Sequence, residues 1–157
     1  MATSSRFYGA ILNSLHEHFS SALMLPKSAA DWLCQLYQSI QFFDDVADGD
    51  KFERKELDCA IWNLLVSMPQ NQFFSENSKS LTPLIATQIL KWQASDKSER
   101  TGTADAKSFV WRAGYYDIVL FVASLVHGHE AATNASESIL RIYGENLGDY
   151  LKEFNHA

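Results

Sequence analysis

Apolar residues recur at helical spacing along most of the chain, and no segment alternates with the period of two that a half-buried strand requires. Phe7, Ile11, Leu12, Leu15 and Phe19 follow Ser4 and Ser5, which can cap a helix start, and together they predict a first helix. Leu25-Pro26 interrupts the pattern. Ser28, with Asp31 three residues on, then resembles a capping box for a second helix that runs to about Ala47. Its apolar stripe is Leu33, Leu36, Tyr37, Ile40, Phe43 and Ala47, and Gly49 is placed to end it.

A third helix follows Phe52, with Leu57, Ile61, Leu64, Leu65 and Met68 on one side, and stops at Pro69. Residues 71–80 read as loop. Thr82-Pro83 forms a cap and first-turn pair for a fourth helix to about Ala94 that buries Ile85, Ile89 and Trp92. The polar stretch 95–104 reads as a mobile connection. A fifth helix is predicted over about 105–127 and a sixth over about 130–154, the latter with Ile139, Leu140, Tyr143, Leu147, Tyr150 and Leu151 as its core stripe. The expectation is an all-α, antiparallel helical bundle forming a single domain over 1–157.

With 157 residues and 46% hydrophobic content, the chain is long enough for one sizeable core. Thirteen basic residues against nineteen acidic ones give a net charge of -6, and no Lys/Arg cluster offsets it, so contact with nucleic acid is not expected. The most apolar run, Ile118 to Val126, is too short for a transmembrane segment. Cys34 and Cys59 form no metal-ligand spacing. With a polar start that lacks the apolar stretch of a signal peptide, they point to a reducing, cytoplasmic location.

The chemistry-bearing pattern is a run of carboxylates. On a helix, Gln41, Asp44, Asp45 and Asp48 share one contiguous face, with Asp44 beside Ile40 and Tyr37 at the edge of the buried stripe. Acids at such spacing repel one another, and a divalent cation relieves that repulsion; Mg2+ prefers carboxylate oxygens and commonly shares its shell with phosphate oxygens. A solvated helix end explains the same residues without a ligand. A second set, Glu145, Asp149 and Glu153, is spaced to line one face of the sixth helix.

The order of motifs resembles the squalene and phytoene synthase family of class I isoprenoid synthases. Ser5-Arg6-Phe7, Leu25-Pro26, Leu36-Tyr37 and the aspartate-rich Asp44-Asp45-Val46-Ala47-Asp48 fall in the family's register. Arg112-Ala113-Gly114 resembles its Val-Ala-Gly segment, and Asn146-Leu147-Gly148-Asp149 with Glu153 resembles its second acidic motif. Gln41, Arg112 and Gly148 depart from the pattern, the tyrosine expected before Ala113-Gly114 is missing, and the chain is shorter than the family, as a shortened or truncated member would be.

The resemblance implies Mg2+ as cofactor, held by Asp44, Asp48, Glu145, Asp149 and Glu153, with Asp44, Asp45 and Asp48 as the catalytic set. It implies a prenyl diphosphate, or another diphosphate ligand, as partner, contacted by Gln41, Arg112, Tyr115, Tyr116 and Arg141. Phe42, Phe43, Tyr115, Tyr116 and Phe121 would line its apolar cavity. Aromatic residues at helical spacing are also ordinary core. As an oligomer, a homodimer is the form considered. Two other functions compete: a non-catalytic helical scaffold or assembly factor, and a small all-α Mg2+-dependent nucleotide pyrophosphohydrolase.

Overall fold

In the computed structural model, residues 5–154 are described, with side chains from residue 9 onward. The expected cap at Ser4 lies outside the described residues, and the Phe7 side chain outside the described side chains. The fold is all-helical, and no strand occurs among those residues. The chain divides into two compact units, residues 1–78 and 79–157.

Unit 1 begins with α1 (Ser5–Glu17), which passes without a break into a π turn, His18–Ala22. Leu15 and Phe19 are buried from this segment. The chain reverses at Met24, whose positive φ of 50° marks the tightest point of the turn. The second helix, α2 (Lys27–Asp48), starts after Pro26 and not at Ser28. Asp31 makes no capping box; its carboxylate accepts from Lys27 and pairs with His16 at 3.1 Å, joining the two helices. Gly49 ends α2 as expected, in a left-handed conformation with its N–H on the carbonyls of Asp45 and Val46.

Glu53 and Glu56 form the capping box of α3 (Arg54–Trp62). A π turn, Asn63–Ser67, and a short turn α4 (Met68–Gln70) continue it. The expectation that Ile61, Leu64, Leu65 and Met68 share one inward side is corrected here: Ala60, Asn63 and Met68 are buried, while Ile61 and Leu65 are exposed. The π turn, which holds an extra residue, changes the phase of the stripe within a few positions.

Residues 72–80 are helix, not loop. Asn71 caps the start of α5 (Gln72–Arg100) by accepting from the Phe74 N–H at 3.0 Å, and Phe74 stacks on the buried Trp32. This helix runs on through Pro83 and as far as Arg100, so 95–104 is mostly helix too, and Ile89 on it is exposed. In unit 2, α6 (Ala106–Trp111) is capped by Asp105, and a short turn at Arg112 and Ala113 separates it from α7 (Gly114–His127). Ile118, Val119 and Val122 of α7 and Ile139 of α8 (His129–Leu140) form the centre of this core. The predicted sixth helix divides: α8 ends at Leu140, and α9 spans Leu147–Phe154. Asn146 causes the new start, since its side-chain oxygen accepts from the N–H of Gly148 at 2.7 Å and of Asp149 at 3.3 Å.

Candidate functional site

The first acidic set lies in the last turns of α2, in unit 1. Beside it is a cavity of about 200 Å³ lined by Tyr37, Gln41, Phe42, Asp45, Glu56 and Cys59, among others. Gln41 and Asp45, one helical turn apart, stand on its wall, whereas Asp44 and Asp48 are not part of the lining. Asp44 and Asp45 are half-buried and Asp48 is exposed. Opposite, the Glu56 carboxylate accepts from the Glu53 N–H at 2.7 Å, so one of its oxygens serves the start of α3. Asn63 and Gln38, also on the lining, are joined by a hydrogen bond that Asn63 donates at 3.2 Å.

The second acidic set lies in unit 2, and the break before α9 changes its geometry. Glu145 precedes the Asn146 cap, so only Asp149 and Glu153 share a helical face. Both are exposed, and Asp149 has Lys152 at 4.0 Å. Glu145 belongs to a different arrangement, centred on Arg112. The Arg112 guanidinium pairs with Glu99 at 3.3 Å and Glu145 at 3.4 Å, and lies 5.3 Å and 5.6 Å from the ring centres of Tyr150 and Phe154. The Arg112 and Glu99 side chains are only 17% and 13% exposed.

Hydrogen bonds complete this node. Tyr150 donates to the Ser108 hydroxyl at 2.8 Å, Ser95 donates to the Ser108 carbonyl at 2.9 Å and lies 3.0 Å from a Glu99 oxygen, and Tyr143 donates to Glu145. Burial, reinforced by the Glu145 carboxylate, raises the Tyr143 phenol well above its ordinary pKa. Four pieces of chain are thereby tied together: α5, α6, the 141–146 segment and α9. No family model, curated protein or solved structure matches the chain.

The remaining expected contacts fall within unit 2. Tyr115 and Tyr116 are buried on α7 with their rings edge to face at 5.3 Å, and Tyr116 packs on Tyr143. Arg141 is exposed and bonded to Glu137 one turn back. Gly114, part of the Ala113-Gly114 match, sits where a Cβ would meet the amide end of the Gln88 side chain, so a larger residue there has to push that side chain aside.

A Mg2+ clamp of the kind the resemblance implies needs carboxylates converging from two motifs. Among the described residues no three His, Cys, Asp or Glu side chains converge as a metal-ligand group. The donor set does not fit such a clamp. Cys34 offers no neutral-pH nucleophile, because burial, aided by Asp31, pushes its thiol up to about 11. No helix among the described residues is long and apolar enough to cross a membrane.

The feature that sequence reasoning passed over is an apolar surface. Along α3 and its π turn, Ile61, Trp62 and Leu65 are 47%, 62% and 74% exposed, on the side opposite Ala60, Asn63 and Met68. The signal was present as the runs Ala60-Ile61-Trp62 and Leu64-Leu65-Val66, which put apolar residues on more than one side of the helix.

Proposed function

We propose that this chain is a non-catalytic helical binding module, a protein that holds a macromolecular partner on an exposed apolar face. The observation that carries the reading is the Ile61, Trp62 and Leu65 face of α3 and its π turn. Large aromatic and aliphatic side chains in contiguous exposed positions mark interaction sites, and tryptophan is among the commonest anchors of protein interfaces. The ancestry proposed with it is that of a squalene/phytoene synthase relative whose helices serve as a scaffold. In this reading Arg112 and Glu145 are architecture, engaged with each other and with aromatic rings.

Two measurements test it. Incubation with Mg2+ and farnesyl or geranylgeranyl diphosphate is expected to give neither condensed hydrocarbon nor released pyrophosphate; sustained turnover overturns the reading. The double variant Trp62→Ser with Leu65→Ser is expected to keep its circular dichroism spectrum and lose capture of a partner from cell extract. Equal capture by parent and variant counts against the face.

A second reading, binding of a Mg2+ diphosphate without turnover, is favoured by one observation, the shared position of Gln41 and Asp45 on the cavity wall. Mg2+ often uses one or two carboxylates and takes its other ligands from phosphate. The cavity lies below the roughly 300–1,000 Å³ typical of drug-sized ligand sites, which favours inorganic diphosphate over a long prenyl chain. Thermal shift decides it: a Mg2+ and pyrophosphate stabilisation absent in Asp45→Asn supports this reading, and the same shift in parent and variant removes it.

A further inference from the structure

Three side chains around the turn between α1 and α2 stand in a line that belongs to neither acidic set. His16 lies in the last turn of α1, Ser20 follows in the π turn, and Asp31 lies near the start of α2. Residues four apart are neighbours on a helical surface, and the Ser20 hydroxyl stands 3.5 Å from His16 Nδ1. On the other side of the ring, His16 Nε2 lies 3.1 Å from Asp31 Oδ1. Lys27 donates to the second oxygen, Oδ2, and so holds the carboxylate with Oδ1 toward the ring.

The hydrogen-bond roles follow from the acid. Against the effect of burial, Lys27 and His16 hold the Asp31 carboxyl below its ordinary pKa, so at neutral pH it only accepts. Nε2 of the neutral imidazole therefore carries the hydrogen, and Nδ1 presents its lone pair to the Ser20 O–H. Other helical serines are placed differently. Ser75, Ser136 and Ser138 each turn the hydroxyl to a main-chain carbonyl three residues back, away from any base.

We infer that Ser20 is a covalent modification site, an acceptor for activated acyl groups such as those of acyl thioesters, with His16 as its base and Asp31 as the residue that positions the ring. The Ser20 oxygen bonds to the acyl carbon, and the carbon–sulfur bond breaks. The hydroxyl proton passes to His16 Nδ1 and from there to the departing thiolate, leaving a Ser20 ester and a free thiol. Ser20 is exposed, and the His16 and Asp31 side chains are 44% and 32% exposed, so a donor reaches them from solution. The three line no part of the unit 1 cavity, and a surface position does not hold substrate away from water, so the outcome is one transfer per chain and not turnover. The site goes beyond the binding-module reading and does not rest on it: the module gains a covalent mark at its first turn.

The test uses the full chain and p-nitrophenyl acetate, an activated ester whose leaving phenolate is read by absorbance, with peptide mass spectrometry to place the acetyl group. Short exposure is expected to acetylate Ser20 at least about tenfold faster than Ser75 or Ser138. His16→Asn is expected to slow Ser20 labelling at least about tenfold. Asp31→Asn is expected to slow it severalfold, and Asp31→Glu, which keeps a carboxylate, to recover part of that loss. Circular dichroism checks the fold of each variant, and the comparison of Ser20 with Ser75 and Ser138 in the parent decides without any variant.

Equal labelling of the three serines, acetyl on Lys27 with none on Ser20, or Ser20 labelling unchanged in folded His16→Asn overturns the inference. Steady ester hydrolysis that is lost in Ser20→Ala overturns the single transfer and, with it, the non-catalytic reading.

Discussion

The acids around Arg112 in unit 2 and the acids at the end of α2 in unit 1 are the same chemical groups put to different uses. Glu99 is enclosed with a guanidinium, and Glu145 meets the same guanidinium and a tyrosine hydroxyl, so their charges organise four pieces of backbone. The aspartates of α2 sit on a helix end whose apolar neighbours are themselves exposed. Spacing along the chain does not separate these cases. The difference on view is enclosure: the Glu99 side chain is 13% exposed beside Arg112, whereas Asp48 and Asp50 are exposed at the end of α2.

The largest effect that would break this contrast is loss of the cation. Arg112→Met leaves the enclosed Glu99 carboxylate without its guanidinium, and urea unfolding is expected to show a destabilisation of about 3 kcal/mol. A change below about 1 kcal/mol would place the node among ordinary surface ion pairs. Tyr150→Phe removes a buried hydroxyl from Ser108 while keeping the ring under Arg112, and is expected to cost about 1–2 kcal/mol. If Tyr150→Phe matches Arg112→Met in size, the hydrogen-bonded serines, and not the guanidinium, hold α9.

A third measurement extends the comparison to Asp31, an acid of unit 1 paired with Lys27 and His16. Burial pushes the Asp31 carboxyl up, but hydrogen bonds from Lys27 and His16 outweigh it and hold the pKa below its ordinary value. A carboxyl so depressed contributes stability that is present above its unfolded pKa of about 4 and is lost as pH falls through its folded value. Asp31→Asn is therefore expected to be less stable than the parent at neutral pH and to converge with it in acid. A constant gap across that range would contradict the assignment. The smallest effect belongs to the α2 end: Asp48→Asn with Asp50→Asn is expected to change stability by no more than about 0.5 kcal/mol, since both side chains are exposed. A loss comparable to that of Arg112→Met would show these aspartates to be structural as well.

The helical class was legible because most elements repeat their apolar residues at helical spacing, and Gly49 signalled a true end. The interruptions were harder to read. Leu147, Tyr150 and Leu151 continue the phase of Ile139 and Tyr143 well enough to hide the break that Gly144 and the Asn146 cap impose. Pro83 suggested a helix start, yet Asn71 already provides one and Phe73 and Phe74 bury the turns between. Within the acidic run, neighbouring residues differ by about 100° around the helix, so whether Asp44 or Asp45 meets the cavity depends on where α1 and α3 pack, which spacing on α2 alone does not contain. Arg112 read as a departure from a family motif, because Glu99 and Glu145, its partners, lie thirteen positions before it and thirty-three after it.

The π turn at Asn63–Ser67 has a further consequence, for how this helix can change. A turn that absorbs one surplus residue acts as a slip joint: the helix before it and the helix after it each keep their own rotational setting. Ala60 can stay seated while Met68 seats independently, and the outward positions between them are relieved of any duty to both. Side chains at Trp62 and Leu65 can therefore be exchanged without disturbing the packing beneath them.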